Sequence, residues 1–173
     1  DPEPLIEPLS SYVDTQSSKS LISFAKDYES RYWAETNSSG WKGPVVKNKK
    51  RLDNGKSIKM NLKSDRSASR MVLLLPKESN LNSFNLGSLE YKTSLSRWGF
   101  YKGFYAIYLN GIYDKEVELT LNFDAGQETI NGYLIDISTE LPDHLEKLYK
   151  ARTGIFSPVH GGDQGILIKK IKI

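Results

Sequence analysis

The chain offers few residues from which chemistry could be built. It holds two histidines, His144 and His160, and no cysteine. A metal site needs converging His, Cys, Asp or Glu donors, and neither HExxH nor CxxC spacing occurs. His160 stands in SPVHGGDQG with Asp163 three residues on. That pair could orient a proton shuttle or share a metal, while the plainer reading is a glycine-rich loop that reverses the chain. Ser157 completes an apparent Ser, His, Asp trio, but triad partners are set by folded geometry and not by crowding in one loop. His144 falls on the polar side of a predicted helix, where a solvated surface residue is the ordinary outcome. No phosphate-cradling GxGxxG or GxxxxGK[ST] run is present. Without cysteine there is neither a disulfide framework nor a thiol nucleophile. The expectation is a chain with no catalytic residue, no metal ligand set and no cofactor of its own.

What remains is a concentration of aromatic residues. RWGFYKGFYAIY carries Trp98, Phe100, Tyr101, Phe104, Tyr105 and Tyr108. Aromatics on a β surface can stack on sugar rings and offer hydroxyls at the rim. They are also what a strand uses for core packing. Trp98, Tyr101, Tyr105 and Tyr108 are therefore the candidate binding surface. Single-stranded nucleic acid stacks on aromatics too, but the basic groove would have to come from Lys47, Lys49, Lys50 and Arg51, in another loop. A net charge of +3 is weak support for such a partner, so none is expected. Asn37-Ser38-Ser39 is an N-glycosylation sequon in a polar stretch.

The elements that would position these residues read mainly as β. In SIKMNLKS (57–64), Ile58, Met60 and Leu62 alternate with Lys59, Asn61 and Lys63, the pattern of a half-buried antiparallel strand. MVLLL (71–75) is a continuous apolar run, as in a strand covered on both faces. Val117, Leu119, Leu121 and Phe123 alternate with Glu116, Glu118, Thr120 and Asn122. TINGYLIDIS (129–138) and ILIKKIKI supply further strands. Asn110-Gly111 is a hairpin signal, and Asp53-Asn54-Gly55 a turn before strand 57–64.

One helix is well marked, over 140–152. Thr139 can cap it, Leu141, Leu145 and Leu148 form its apolar stripe, and Gly154 stops it. Residues 17–35 fit a helix, through Leu21, Ala25, Tyr28 and Tyr32, or a strand surface, through Tyr28, Tyr32 and Trp33; an N-terminal helix is the reading taken. Residues 1–16 begin with a proline-rich run and read as an extended leader or linker. The expected architecture is one domain over 17–173, an antiparallel, jelly-roll-like β-sandwich with a short C-terminal helix. The hydrophobic share of 38% and charged share of 26% suit a globular domain, and no apolar run reaches the roughly 18–20 residues that span a bilayer. The chain opens on Asp1, and the reading favoured here is a piece of something longer.

SIKMNLKSDRSASRMVLLLPKESNLNSFNLGS and WGFYKGFYAIYLNGIYDKEVELTLNF, with LPDHLEKLYKARTGIFSPVHGGDQGILIKKIKI at the end, resemble the C-terminal domain of the M28-type membrane metallopeptidases. These are the endoplasmic reticulum metallopeptidase and the fungal vacuolar membrane protease. The likeness covers roughly residues 40–173. It implies a lumenal accessory domain of a multi-spanning zinc protease, on the vacuolar or endoplasmic reticulum membrane. The zinc and its ligands would belong to a separate peptidase domain, and none maps onto this chain. Its partner would be the remainder of that protease or another protein. The rival expectation is a carbohydrate-binding module that uses the exposed aromatics on a glycan.

Overall fold

A computed structural model describes residues 40–97, 99–139 and 164–173. The helix expected over 140–152, the 17–35 segment and the 1–16 leader lie outside the described residues. So do Asn37, Trp98, His144, Ser157, His160 and Asp163.

The described residues hold nine strands: β1 (Val45–Leu52), β2 (Ser57–Lys63), β3 (Arg70–Pro76), β4 (Leu81–Leu86), β5 (Leu89–Lys92), β6 (Phe104–Asn110), β7 (Val117–Phe123), β8 (Asn131–Ser138) and β9 (Gly165–Lys172). They form two sheets, β1-β2-β7-β4-β5 and β6-β3-β8-β9, and every neighbouring pair is antiparallel. The protein is a β-sandwich. The pairs β4–β5, β3–β6 and β2–β7 nest inside one another, and β7–β4 and β3–β8 join them across. That nesting is the curled hairpin of a jelly roll. β9 lies where the first strand of an eight-stranded jelly roll would lie, and β1 is added outside β2.

Alternation decides what each strand buries. From the five-stranded sheet Ile58, Met60, Leu62, Leu119, Leu121, Phe123 and Leu81 turn inward. Met71, Leu73, Leu75, Ile107, Leu109 and Leu134 meet them from the four-stranded sheet. The expected registers of β2 and β7 are those observed, with burial alternating strictly along β2. All five residues of MVLLL are buried. Met71, Leu73 and Leu75 belong to the inter-sheet core, whereas Val72 and Leu74 point to the other face of the sheet and are also buried.

The outer face of the five-stranded sheet is polar and knitted by one amide. Ser57 Oγ donates to Asn122 Oδ1 at 3.0 Å, while Asn122 Nδ2 donates to Ser83 Oγ at 3.0 Å and to Asn85 Oδ1 at 2.8 Å. This satisfies the hydroxyl of Ser83, which is buried and would otherwise cost free energy.

Two local expectations change. Asn110-Gly111 does not close a hairpin, because β6 and β7 belong to different sheets. Gly111 sits at φ +69°, and the N–H groups of Gly111 and Ile112 both donate to Ser69 O. The turn is thus tied to the β2–β3 loop and sends the chain across the sandwich. The run around Lys47–Arg51 is an edge strand. It was hidden from alternation by an irregularity in the ladder between Lys47 and Lys50, where Asn48 adopts φ +50°.

Candidate functional site

The four-stranded sheet carries its remaining aromatic and aliphatic side chains on the face away from the core. Cross-strand register arranges them in rows. Tyr108 stands beside Val72, Val72 beside Ile135, and Ile135 beside Ile168. The adjacent row runs Asn110, Arg70, Ile137, Ile166. Val72, Leu74, Ile135 and Ile137 are buried, whereas Tyr108 is 55% exposed on β6, and Ile166 and Ile168 are 49% and 40% exposed on β9. The open apolar surface therefore lies at the margins of this face.

Of the three candidates among the described residues, two come together. Tyr101 ends a short 3-10 turn, Gly99–Tyr101, and its ring lies 5.9 Å from that of Tyr108, tilted by 60°. Such a tilted pair places a ring edge against a ring face. Tyr105 is turned the other way. It shares the parity of Ile107 and Leu109 and packs, half-buried, against the inter-sheet core, with Leu95 bridged to it from the preceding loop. Phe104, on the outer face, makes an edge contact with Tyr133 at 6.2 Å. The candidate surface is thus the Tyr101–Tyr108 pair at the β6 margin, with Arg70 beside it.

Burial raises the phenol of Tyr101 above the ordinary tyrosine range, the neighbouring Tyr108 adds to this, and the positive charge of Arg70 opposes it. Burial also raises Tyr108. Both hydroxyls are therefore protonated donors at neutral pH. A raised folded pKa stabilises the fold fully below the unfolded tyrosine range, and that contribution is lost as pH rises through the folded value. A spectrophotometric titration should accordingly show the phenols of Tyr101 and Tyr108 ionising above the ordinary tyrosine range. Tyr101→Phe should remove one of these raised ionisations and flatten the alkaline loss of stability.

Three of the four residues of the basic cluster, Lys47, Lys49 and Arg51, are engaged in structure. Lys47 Nζ lies 3.7 Å from Glu116, Lys49 Nζ donates to Lys172 O at 3.3 Å, and Arg51 donates to Ile173 O at 3.1 Å and to Gln127 O. The bonds to Lys172 and Ile173 fasten β1, at the edge of one sheet, to the end of β9, at the edge of the other.

The most polar buried point escaped the sequence reading. Asp136, wholly buried in β8, accepts from Ser64 Oγ at 2.9 Å and from Arg66 Nε at 2.8 Å. Arg66 Nη2 reaches the same carboxylate at 2.7 Å and donates to Gly165 O at 2.6 Å, and Nη1 donates to Ser138 Oγ. The cluster reads as a clasp that ties the β2–β3 turn to β8 and β9. The signal was present: an aspartate inside the apolar run YLIDI, which nothing but a buried partner would tolerate.

Among the described residues no group of three or more His, Cys, Asp or Glu side chains comes close enough to hold a metal ion. Nor, among them, is any helix long and apolar enough to cross a membrane. The sequence matches no family model, and no curated protein matches it.

Proposed function

We propose that this β-sandwich is a non-catalytic accessory domain that binds or packs against a partner through the aromatic margin of its four-stranded sheet. The observation that carries this reading is Tyr108, a large aromatic side chain 55% exposed on a regular strand and held against Tyr101. Exposed aromatics with a positioned neighbour are the usual anchors of interaction surfaces. The identity of the partner rests on the resemblance to the M28-type membrane metallopeptidases. On that reading the domain is lumenal, at the vacuolar or endoplasmic reticulum membrane. It packs on or gates a zinc peptidase domain elsewhere in the same protein.

A second reading is favoured by the chemistry of the same pair. Two protonated phenols with a guanidinium nearby can stack on a pyranose and hydrogen-bond its hydroxyls. One experiment addresses both. Tyr108→Ala removes a mostly exposed ring and should change stability by no more than about 1 kcal/mol. Binding to the upstream peptidase region, or to a glycan on an array, should fall sharply. Loss of the first supports the accessory role, and loss of the second the carbohydrate role. A variant that melts normally and binds both targets as the parent does would overturn the assignment of this surface.

A further inference from the structure

Among the described residues four strands form the edges of the two sheets: β1 and β5 in one, β6 and β9 in the other. An open edge presents unpaired backbone groups and invites another strand. Three of the four carry visible guards among the described residues. β1 is interrupted at Asn48 and rich in lysine. The carbonyls at the end of β9 accept from Lys49 and Arg51. β6 is bridged by Leu95 at Tyr105. β5 is neither interrupted nor bridged; it is four residues long, its charges are Glu90 and Lys92, and all four of its residues are exposed.

The phase of its backbone follows from the hairpin that makes it. β4 and β5 are joined by Gly87 and Ser88, with Leu86 opposite Leu89, Asn85 opposite Glu90, Phe84 opposite Tyr91 and Ser83 opposite Lys92. Gly87 at φ +59° opens a two-residue turn of the type that hairpins favour. Beyond the ladder, Thr93 N–H donates to Asn82 O at 3.1 Å. In an antiparallel ladder hydrogen-bonded and non-bonded pairs alternate. Thr93, Tyr91 and Leu89 therefore direct their backbone groups toward β4, and Glu90 and Lys92 direct theirs outward.

We propose that β5 is a self-association edge, at which two copies of this chain join their five-stranded sheets with Tyr91 on the two-fold axis. A continuous antiparallel sheet requires outward-directed residues to stand opposite one another. For Glu90 and Lys92 this permits three registers. Glu90 against Glu90 and Lys92 against Lys92 each set like charges face to face. Glu90 against the partner's Lys92 sets opposite charges face to face, twice by symmetry, and each such pair exchanges both backbone hydrogen bonds. Within one chain the two side chains already lie 3.6 Å apart on the polar face, so pairing exchanges an intrachain contact for cross-strand ones. On the other face Tyr91 is stacked on Phe84 at 5.1 Å with the rings 16° from parallel, and it remains 41% exposed. Tyr91 would meet its own copy in a non-bonded pair, the arrangement in which side chains approach most closely. The interface is isologous, so it closes at two copies. A four-residue edge is short, and the association is accordingly weak and concentration-dependent.

Sedimentation velocity of the full chain over a wide concentration range tests this. The parent should move toward a dimer as concentration rises. Glu90→Lys places lysines opposite one another and should weaken dimerisation about tenfold or more. Adding Lys92→Glu restores opposite charges in the same register and should restore the dimer. In hydrogen exchange, the amides of Glu90 and Lys92 should gain protection on dimerisation while that of Tyr91 is protected in both states. A parent that stays monomeric at the highest attainable concentration would overturn the proposal. So would a dimer indifferent to Glu90→Lys, or one that the charge exchange fails to restore. Circular dichroism confirms that these surface variants are folded.

Discussion

Asp136→Ala should destabilise the fold by about 3–5 kcal/mol, because it breaks a buried ion pair by removing the carboxylate that Arg66 is bonded to. The side chains of Arg66 and Asp136 are 7% and 0% exposed. The carboxylate also holds Ser64, whose Oγ in turn accepts from the backbone N–H groups of Arg66 and Ala68. Removing the acid therefore loosens the whole β2–β3 turn. Arg66→Leu combined with Asp136→Leu is expected to cost far less than the two single changes added together, since no unpaired charge then remains. Denaturant melts of the two singles and the double form the cycle that measures this. If the singles cost no more than ordinary surface changes, the clasp is not a stability element.

Leu119→Asp carries the second large effect. Leu119 lies at the centre of β7, wholly buried, opposite Met60 on one side and Leu86 on the other. A carboxylate there has no partner and should cost roughly 3 kcal/mol or more. Its neighbour Glu118 faces solvent and lies 2.8 Å from Lys59. Glu118→Lys loses that exposed pair, a change of no more than about 1 kcal/mol. Melts with the order reversed would place β7 one residue out of register, because a single slip exchanges the faces of a strand.

The legible parts of the sequence were those in which one face of a strand is buried and the other is not. β2 and β7 announce themselves through Ile58, Met60, Leu62 and Val117, Leu119, Leu121. β3 announces itself as an unbroken apolar run, since both of its faces are covered. β1 was illegible because the irregularity at Asn48 breaks the period and lysines fill the outward positions. The β4–β5 hairpin was illegible because the small polar residues Ser83 and Asn85 are held by Asn122 on a distant strand, a relation that spacing along the chain does not encode. Partner choice was hidden for the same reason. Alternation tells which way a side chain points and nothing about which strand lies alongside, so Asn110-Gly111 read as a hairpin when it is a crossing.

The candidate surface was partly legible. Tyr105 and Tyr108 are three residues apart, so on one strand they must point to opposite faces. Only a turn outside the strand could bring Tyr101 back beside Tyr108. The clasp of Arg66 and Asp136 joins residues 70 positions apart, and sequence offers only its acidic half as a clue.

The nesting of the strands bears on the time the protein needs to fold. β1–β2 and β4–β5 are the tight local pairings, while β2 must wait for β7 and β3 for β8. β9 adds the last strand to its sheet from residues 165–172. During synthesis β8 would expose one unpaired edge until those residues emerged, and the bonds from Lys49 and Arg51 to Lys172 and Ile173 would close a loop of more than a hundred residues. Closing such loops before contacts reward them is slow, on the order of milliseconds to seconds for sandwiches of this kind. An intermediate complete through β8 is the species most exposed to wrong pairing, and removal of β9 would make that transient condition permanent.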